Sequence, residues 1–162
     1  MIVNRQRRVR VPIQTLNRFL REACEILKQP DEAFTVCLVS EGEMARWNRA
    51  YRGKAGPTDV LSFPSDGSPE NHGRKRPSHS GSGNVSTRRL RVPESVEDYL
   101  GDIAIAPAVA RRNAARFGRS FQDEMRILIL HGILHLMGYD HETDTGQMDR
   151  RERTLRRALG LA

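Results

Sequence analysis

Three histidines fall within eleven residues, in the run His131-Gly-Ile-Leu-His135-Leu-Met-Gly-Tyr-Asp-His141. The first two are four residues apart, which on a helix stacks them on one face. Gly138 stands where such a helix would end, and a turn there would bring His141 back towards the other two. That geometry can gather three imidazole nitrogens around one ion and leave a fourth position open, as in a catalytic rather than a closed structural site. The competing reading is a set of core histidines hydrogen-bonded to carbonyls. Met125 to Met137 is apolar apart from Arg126, Gly132 and two histidines. An unpartnered ring nitrogen buried there would cost about 1–3 kcal/mol, and a shared metal satisfies two at once. The ligand set suits zinc, nickel, copper or iron, and we take a single zinc ion on His131, His135 and His141 as the expectation.

Neutral imidazole ligands leave the ion its double charge, which lowers the pKa of bound water towards about 7 and points to metal-assisted hydrolysis. In proteases with His-Glu-x-x-His, the glutamate after the first histidine is the general base. Gly132 occupies that position here, so an amidase or protease lacks its base in the expected place.

The elements that must position these residues follow from caps and periodicity. Ile2-Val3 opens a short strand, and Pro12 suits the first turn of a helix with Leu16, Leu20, Ala23 and Leu27 on one side. Ala33 to Val39 reads as a central strand. Ser40 and Glu43 form a capping box for a helix to about Tyr51. Strands are expected at Asp59 to Phe63 and Leu100 to Ala106, and a short helix from Pro107 to Gly118. Ser120 and Asp123 then cap the apolar helix that carries the first two histidines, and Met148 to Leu159 forms a last amphipathic helix with a basic outer face.

The chain has 162 residues, enough for one domain over 1–162 with a sizeable core. Its formal net charge of +7 favours polyanion partners. Met1 to Arg10 holds four arginines and no apolar run, unlike a secretory signal, and no stretch is apolar for long enough to span a bilayer. Cys24 and Cys37 read as small buried hydrophobes, and a reducing cytoplasm is the expected location. Residues 66–98 are rich in Ser, Gly, Pro, Asn and charge, a composition that predicts a mobile loop. Within Asn71 to Val92 stand six basic residues and no acidic one. They make either an electrostatic tether for nucleic acid or a solvated insertion, and His72 and His79 are not counted as ligands.

The histidine run resembles the signature of the YbeY family of bacterial endoribonucleases. Tyr51-Arg52-Gly-Lys54, Pro57-Thr-Asp-Val-Leu-Ser-Phe-Pro64 and Leu100-Gly-Asp-Ile103 are similar to further blocks of that family, in its order. The resemblance implies an α/β (α+β) single domain with a mixed, mostly parallel four-stranded sheet flanked by helices and a zincin-like metal-site helix. It implies a single-strand-specific endoribonuclease acting in ribosomal RNA maturation, notably at the small-subunit 3′ end, and in ribosome quality control. His131, His135 and His141 match the family's metal ligands, and Arg52 its functional arginine. The connection between Pro64 and Leu100 is longer and more basic than this resemblance leads one to expect.

Arg52 has a physical role without the family. A guanidinium can hold a phosphate by two hydrogen bonds and offset charge in the transition state, unless the side chain merely packs in a surface loop. Lys54 would add a weaker phosphate contact. Asp140 and Asp102 are candidates to orient an imidazole or accept a proton, and Asp140 equally suits a turn before His141. The expected reaction places single-stranded RNA beside Arg52 and the metal, with either water or the ribose 2′-hydroxyl attacking. The alternative from another class is an RNA-binding ribosome-assembly factor with a structural metal.

Overall fold

The computed structural model describes residues 1–65 and 99–161; the basic connection expected at 66–98, with His72 and His79, lies outside the described residues. In chain order the elements are β1 (Ile2–Asn4), α1 (Ile13–Leu27), β2 (Phe34–Leu38), α2 (Glu41–Arg52), β3 (Val60–Pro64), β4 (Gly101–Ile105), α3 (Pro107–Phe117), α4 (Phe121–Leu136) and α5 (Gln147–Ala158). Local chemistry sets most of the boundaries. The Ser40 hydroxyl accepts the Glu43 N–H at 3.2 Å and the Ser120 hydroxyl the Asp123 N–H at 3.0 Å, so both expected caps form. Pro12 lies one residue ahead of α1 rather than in its first turn. Asp59 stays outside β3, where its carboxylate accepts the Val60 N–H at 2.8 Å and the Asn113 amide at 3.0 Å.

The strands lie in the order β1-β2-β4-β3. β1 and β4 run parallel to β2, while β3 runs antiparallel to β4. Side chains alternate across this mixed sheet. Val36 pairs with Ile103 and Leu38 with Ile105, and these four face the large core built with α1 and α4. Cys37 and Ala104, the pair between them, face the other way, with Met44 of α2. The sheet is therefore covered by α1 and α4 on one face and by α2 on the other.

α4 is buried along its length. Met125, Ile129, Leu130, Ile133 and Leu134 are all inaccessible to solvent, and the helix packs against α1, α3, α5, β3 and β4. Each such side chain contributes about 1.5–3 kcal/mol through burial, which makes α4 the central support of the core. Among the described residues no helix is long and apolar enough to cross a membrane.

One contact sets how closely α4 approaches the sheet. A Cβ at Gly132 would sit 2.6 Å from Ile103 Cγ2, inside any tolerable contact. The Ser62 hydroxyl donates to the Gly132 carbonyl at 3.3 Å on the same side. Gly132 is thus a spacer for helix-on-strand packing. Gly132→Ala should destabilise the fold by about 1–3 kcal/mol, the usual range for overpacking, as measured by urea denaturation. An unchanged midpoint would show that α4 and β4 are free to separate.

Both cysteines are buried and unpaired. Burial pushes the Cys37 thiol up to about 11 despite the opposing charge of Arg5, and burial likewise raises that of Cys24. Thiolate, the reactive form, is therefore scarce at neutral pH. Neither residue should react with a thiol-alkylating reagent at pH 7.5 in the native protein, and both should react in denaturant, as counted by mass spectrometry.

Candidate metal centre

His131 and His135 lie on the last two turns of α4, and the helix ends immediately beyond them. The ending is a Schellman motif built on Gly138, whose φ of +90° suits glycine. The Gly138 N–H donates to the His135 carbonyl and the Tyr139 N–H to the Leu134 carbonyl, each at 3.0 Å. The Tyr139 side chain packs on the main core, so the chain turns back across the end of α4. Asp140 then shapes the next turn, its carboxylate accepting the Glu142 N–H at 2.9 Å and the Thr143 hydroxyl at 3.1 Å. These contacts are those of a turn-forming residue, and the Asp140 charge also acts on the His135 ring.

These two turns bring His141 to the other histidines. One ligand nitrogen from each of His131, His135 and His141 lies within 4.8 Å of the others. The His131 and His135 rings meet edge-on at 4.7 Å, and His141 stands 5.5 and 5.3 Å from them. The Nε2 atoms of His131 and His135 face each other at 3.1 Å. Burial, then the charges of His131 and His141, lower the His135 pKa to about 4, so its ring is neutral at neutral pH. Two unprotonated nitrogens at that separation repel each other unless a proton or a cation lies between them. Three imidazoles converging in this way fit the donor set of a single borderline cation.

Glu152, which the sequence reading did not single out, reaches the cluster from α5. Its Oε2 lies 3.0 Å from His131 Nδ1, and its other oxygen takes the Arg156 guanidinium. Burial alone would raise the Glu152 carboxyl, but the hydrogen bond to His131 and the charge of Arg156 outweigh it and hold the pKa below its ordinary value. A signal was available in the sequence. Met148, Glu152 and Leu155 share one face of a helix otherwise crowded with arginine, and all three are buried.

Asp102 is placed differently. Its carboxylate accepts the Tyr99 hydroxyl at 2.6 Å, and burial raises its pKa while that hydrogen bond lowers it. Arg52 is the last residue of α2, on the far side of the sheet from α4. Its guanidinium comes to 3.9 Å from the carboxylate of Glu142, the neighbour of His141, and remains about a third exposed. The Asn48 amide holds the loop after α2 by donating to the Gly56 carbonyl at 2.9 Å. Lys54 on that loop is exposed.

The turn at Gly138 is the part of the site most open to a backbone test. A side chain in the left-handed region costs about 1–2 kcal/mol. Gly138→Ala should lower stability by that amount and weaken retention of bound metal in dialysis against a chelator. Wild-type retention would show that the turn does not place His141.

This combination of fold and site has known counterparts. The family model described as Endoribonuclease YbeY matches residues 1–160. The chain is 38% identical over 133 residues to Endoribonuclease YbeY of Geobacillus thermodenitrificans (strain NG80-2), covering 82% of this chain and 75% of the relative. It is 34% identical over 154 residues to Endoribonuclease YbeY of Methylococcus capsulatus, covering 93% of this chain and 85% of the relative. The solution structure of a Thermotoga maritima protein superposes with a TM-score of 0.54 at 27% identity, over 98% of this chain and 89% of that one. The match thus spans α4, the turn behind it and the arginine at the end of α2, and the chain belongs to the endoribonuclease YbeY family.

Proposed function

We propose that this chain is a zinc-dependent endoribonuclease that hydrolyses single-stranded RNA in the cytoplasm. Its place is in ribosomal RNA maturation at the small-subunit 3′ end and in ribosome quality control, with the ribosome or its small subunit as partner. His131, His135 and His141 hold the ion, and Arg52 is the catalytic phosphate-binding group. The observation that carries this reading is the meeting of two elements from opposite faces of the sheet. Three converging imidazoles come from α4 and its turn, and a guanidinium from α2 comes to 3.9 Å from the carboxylate of Glu142, the residue after His141.

What a bound ion supplies there is Lewis acidity towards a phosphoryl oxygen and a water of lowered pKa. The chain's own residues account for the rest. Arg52 offers a planar pair of N–H donors that matches two phosphate oxygens. Its contact with Glu142 is long and solvent-exposed, and exposed ion pairs contribute about 0–1 kcal/mol, so a phosphate can replace the carboxylate at little cost. Held in this way, the phosphodiester lies next to the histidine cluster, and the guanidinium offsets the charge that grows on its oxygens. The net charge of +7 raises the local concentration of a polyanionic substrate. Gly132 supports nucleic-acid over peptide chemistry. It faces Ile103 of the sheet, where a protease-type general base has no room.

The test is to purify the chain without a histidine tag, measure bound metal and assay cleavage of single-stranded RNA. His135→Ala should lose the metal and the activity together. Arg52→Ala should keep the metal and lose about 10²–10³-fold in rate, as for removal of one transition-state donor. Metal retained and RNA bound but uncut by the wild type would favour an assembly factor with a structural metal. Cleavage unchanged in both variants would assign the activity to a contaminating nuclease.

A further inference from the structure

We infer that Glu152, carried by α5 and steadied by Arg156, is a positioning residue that fixes the ring orientation and the tautomer of His131. This inference rests on the reading of the three histidines as a metal site, and it extends that site to a helix outside the histidine signature. An ionised carboxylate can only accept a hydrogen bond, so at 3.0 Å from Glu152 it is His131 Nδ1 that carries the proton. In the neutral ring the lone pair is then on Nε2, the atom facing the cluster, 3.1 Å from its counterpart on His135. Without the carboxylate the proton is free to sit on either nitrogen and the ring is free to turn.

The support for Glu152 is itself well built. Its side chain is only 10% exposed and carries Arg156 on its second oxygen, so both carboxylate oxygens are engaged. Met148 and Leu155, one helical turn to either side, are buried in the main core and fix the rotation of α5. The start of α5 is tied down by Asp144, whose carboxylate accepts the Gly146 and Met148 N–H groups at 2.7 Å each. Glu152 therefore reaches His131 from a rigid base. A carboxylate that takes the outer N–H of a ligating histidine typically changes metal affinity by about 10–100-fold.

The measurement is zinc affinity of the full chain, by competition with a chromophoric chelator, for wild type, Glu152→Gln, Glu152→Ala, Arg156→Met, the Glu152→Ala/Arg156→Met double variant and His135→Ala. Thermal midpoints are read for each in the metal-free state. Glu152→Ala should weaken zinc binding by about 10–100-fold. Glu152→Gln keeps an acceptor of the same shape and should recover part of that loss. Arg156→Met should cause a smaller loss, and none once Glu152 is already alanine. A merely structural role for Glu152 would instead lower the metal-free midpoint and leave the affinity of the folded protein unchanged. Should Glu152→Ala fail to fold, the near-isosteric Gln variant decides alone: weakened zinc binding supports the positioning role and wild-type zinc affinity overturns it. Wild-type affinity in a folded Glu152→Gln together with Glu152→Ala, while His135→Ala loses zinc, overturns this inference alone. Failure of the wild type itself to hold zinc overturns the reading of the three histidines as well.

Discussion

The contact between Gly132 and Ile103 fixes more of this protein than any other. A helix packed on a sheet has two freedoms that matter for a site on its flank, its distance and its rotation about its own axis. With no side chain at 132, the backbone of α4 lies directly on β4, and the Ile103 methyl groups occupy the space a Cβ would take. Side chains advance about 100° per residue around a helix, so once residue 132 faces the sheet, residues 131 and 135 must both lie to one side of that contact. There they are half-buried, with ring nitrogens reaching the edge of the core. A larger residue at 132 would push α4 away from the sheet and move both rings together. The glycine that disfavours a protease is the same one that seats the cluster.

Burial then shapes the chemistry of what it has placed. Burial around α4 holds His135 neutral, with one ring nitrogen left to offer a lone pair. The same burial would be costly for Glu152 if it stood alone, and Arg156 and His131 together supply the charge and the donor it needs. Arg52 is left on the open side, and among the described residues its ion-pair partner is an exposed carboxylate 3.9 Å away. Of the groups that would hold an ion, His131 and His135 are half-buried on α4 and His141 is exposed on the turn, while the group that would hold a phosphate is about a third exposed and readily exchanged. A site that binds its metal long-term and its substrate briefly needs this division.

Much of the frame was legible because local chemistry dictates it. Ser40 and Ser120 each cap the helix expected of them, the i, i+4 histidines sit together at the end of α4, and Gly138 makes the turn its position suggested. What was not legible depends on contacts distant in sequence. Nothing in Val60 to Pro64 distinguishes an antiparallel edge strand from a parallel one, because the pairing with β4 is decided across the sheet. Asp102 had the right residue type to orient a histidine, but Tyr99, three residues earlier, takes it. Glu152 was hidden for the opposite reason. With Arg156 four residues later it reads as an ordinary surface ion pair, and only the docking of α5 against α4 shows that its other oxygen faces a histidine.

The placement of Arg52 carries one last consequence. It stands at the end of α2, a helix on the opposite face of the sheet from α4, and approaches the histidine turn at Glu142, the residue after His141. A substrate phosphate bound by both halves must therefore lie across a junction between two independently packed layers. The α4 half is fixed by the core through Gly132 and by the turn at Gly138. The α2 half is fixed by Met44 and Trp47 against the other face and by Asn48 on the following loop. Among the described residues the one ion pair seen between the two halves is the long Arg52–Glu142 contact, so their relative placement depends on how each layer packs on the sheet. If Arg52 holds the substrate phosphate as proposed, mutations that alter how α2 packs should accordingly act on its alignment while leaving intact the three histidines that could hold a metal.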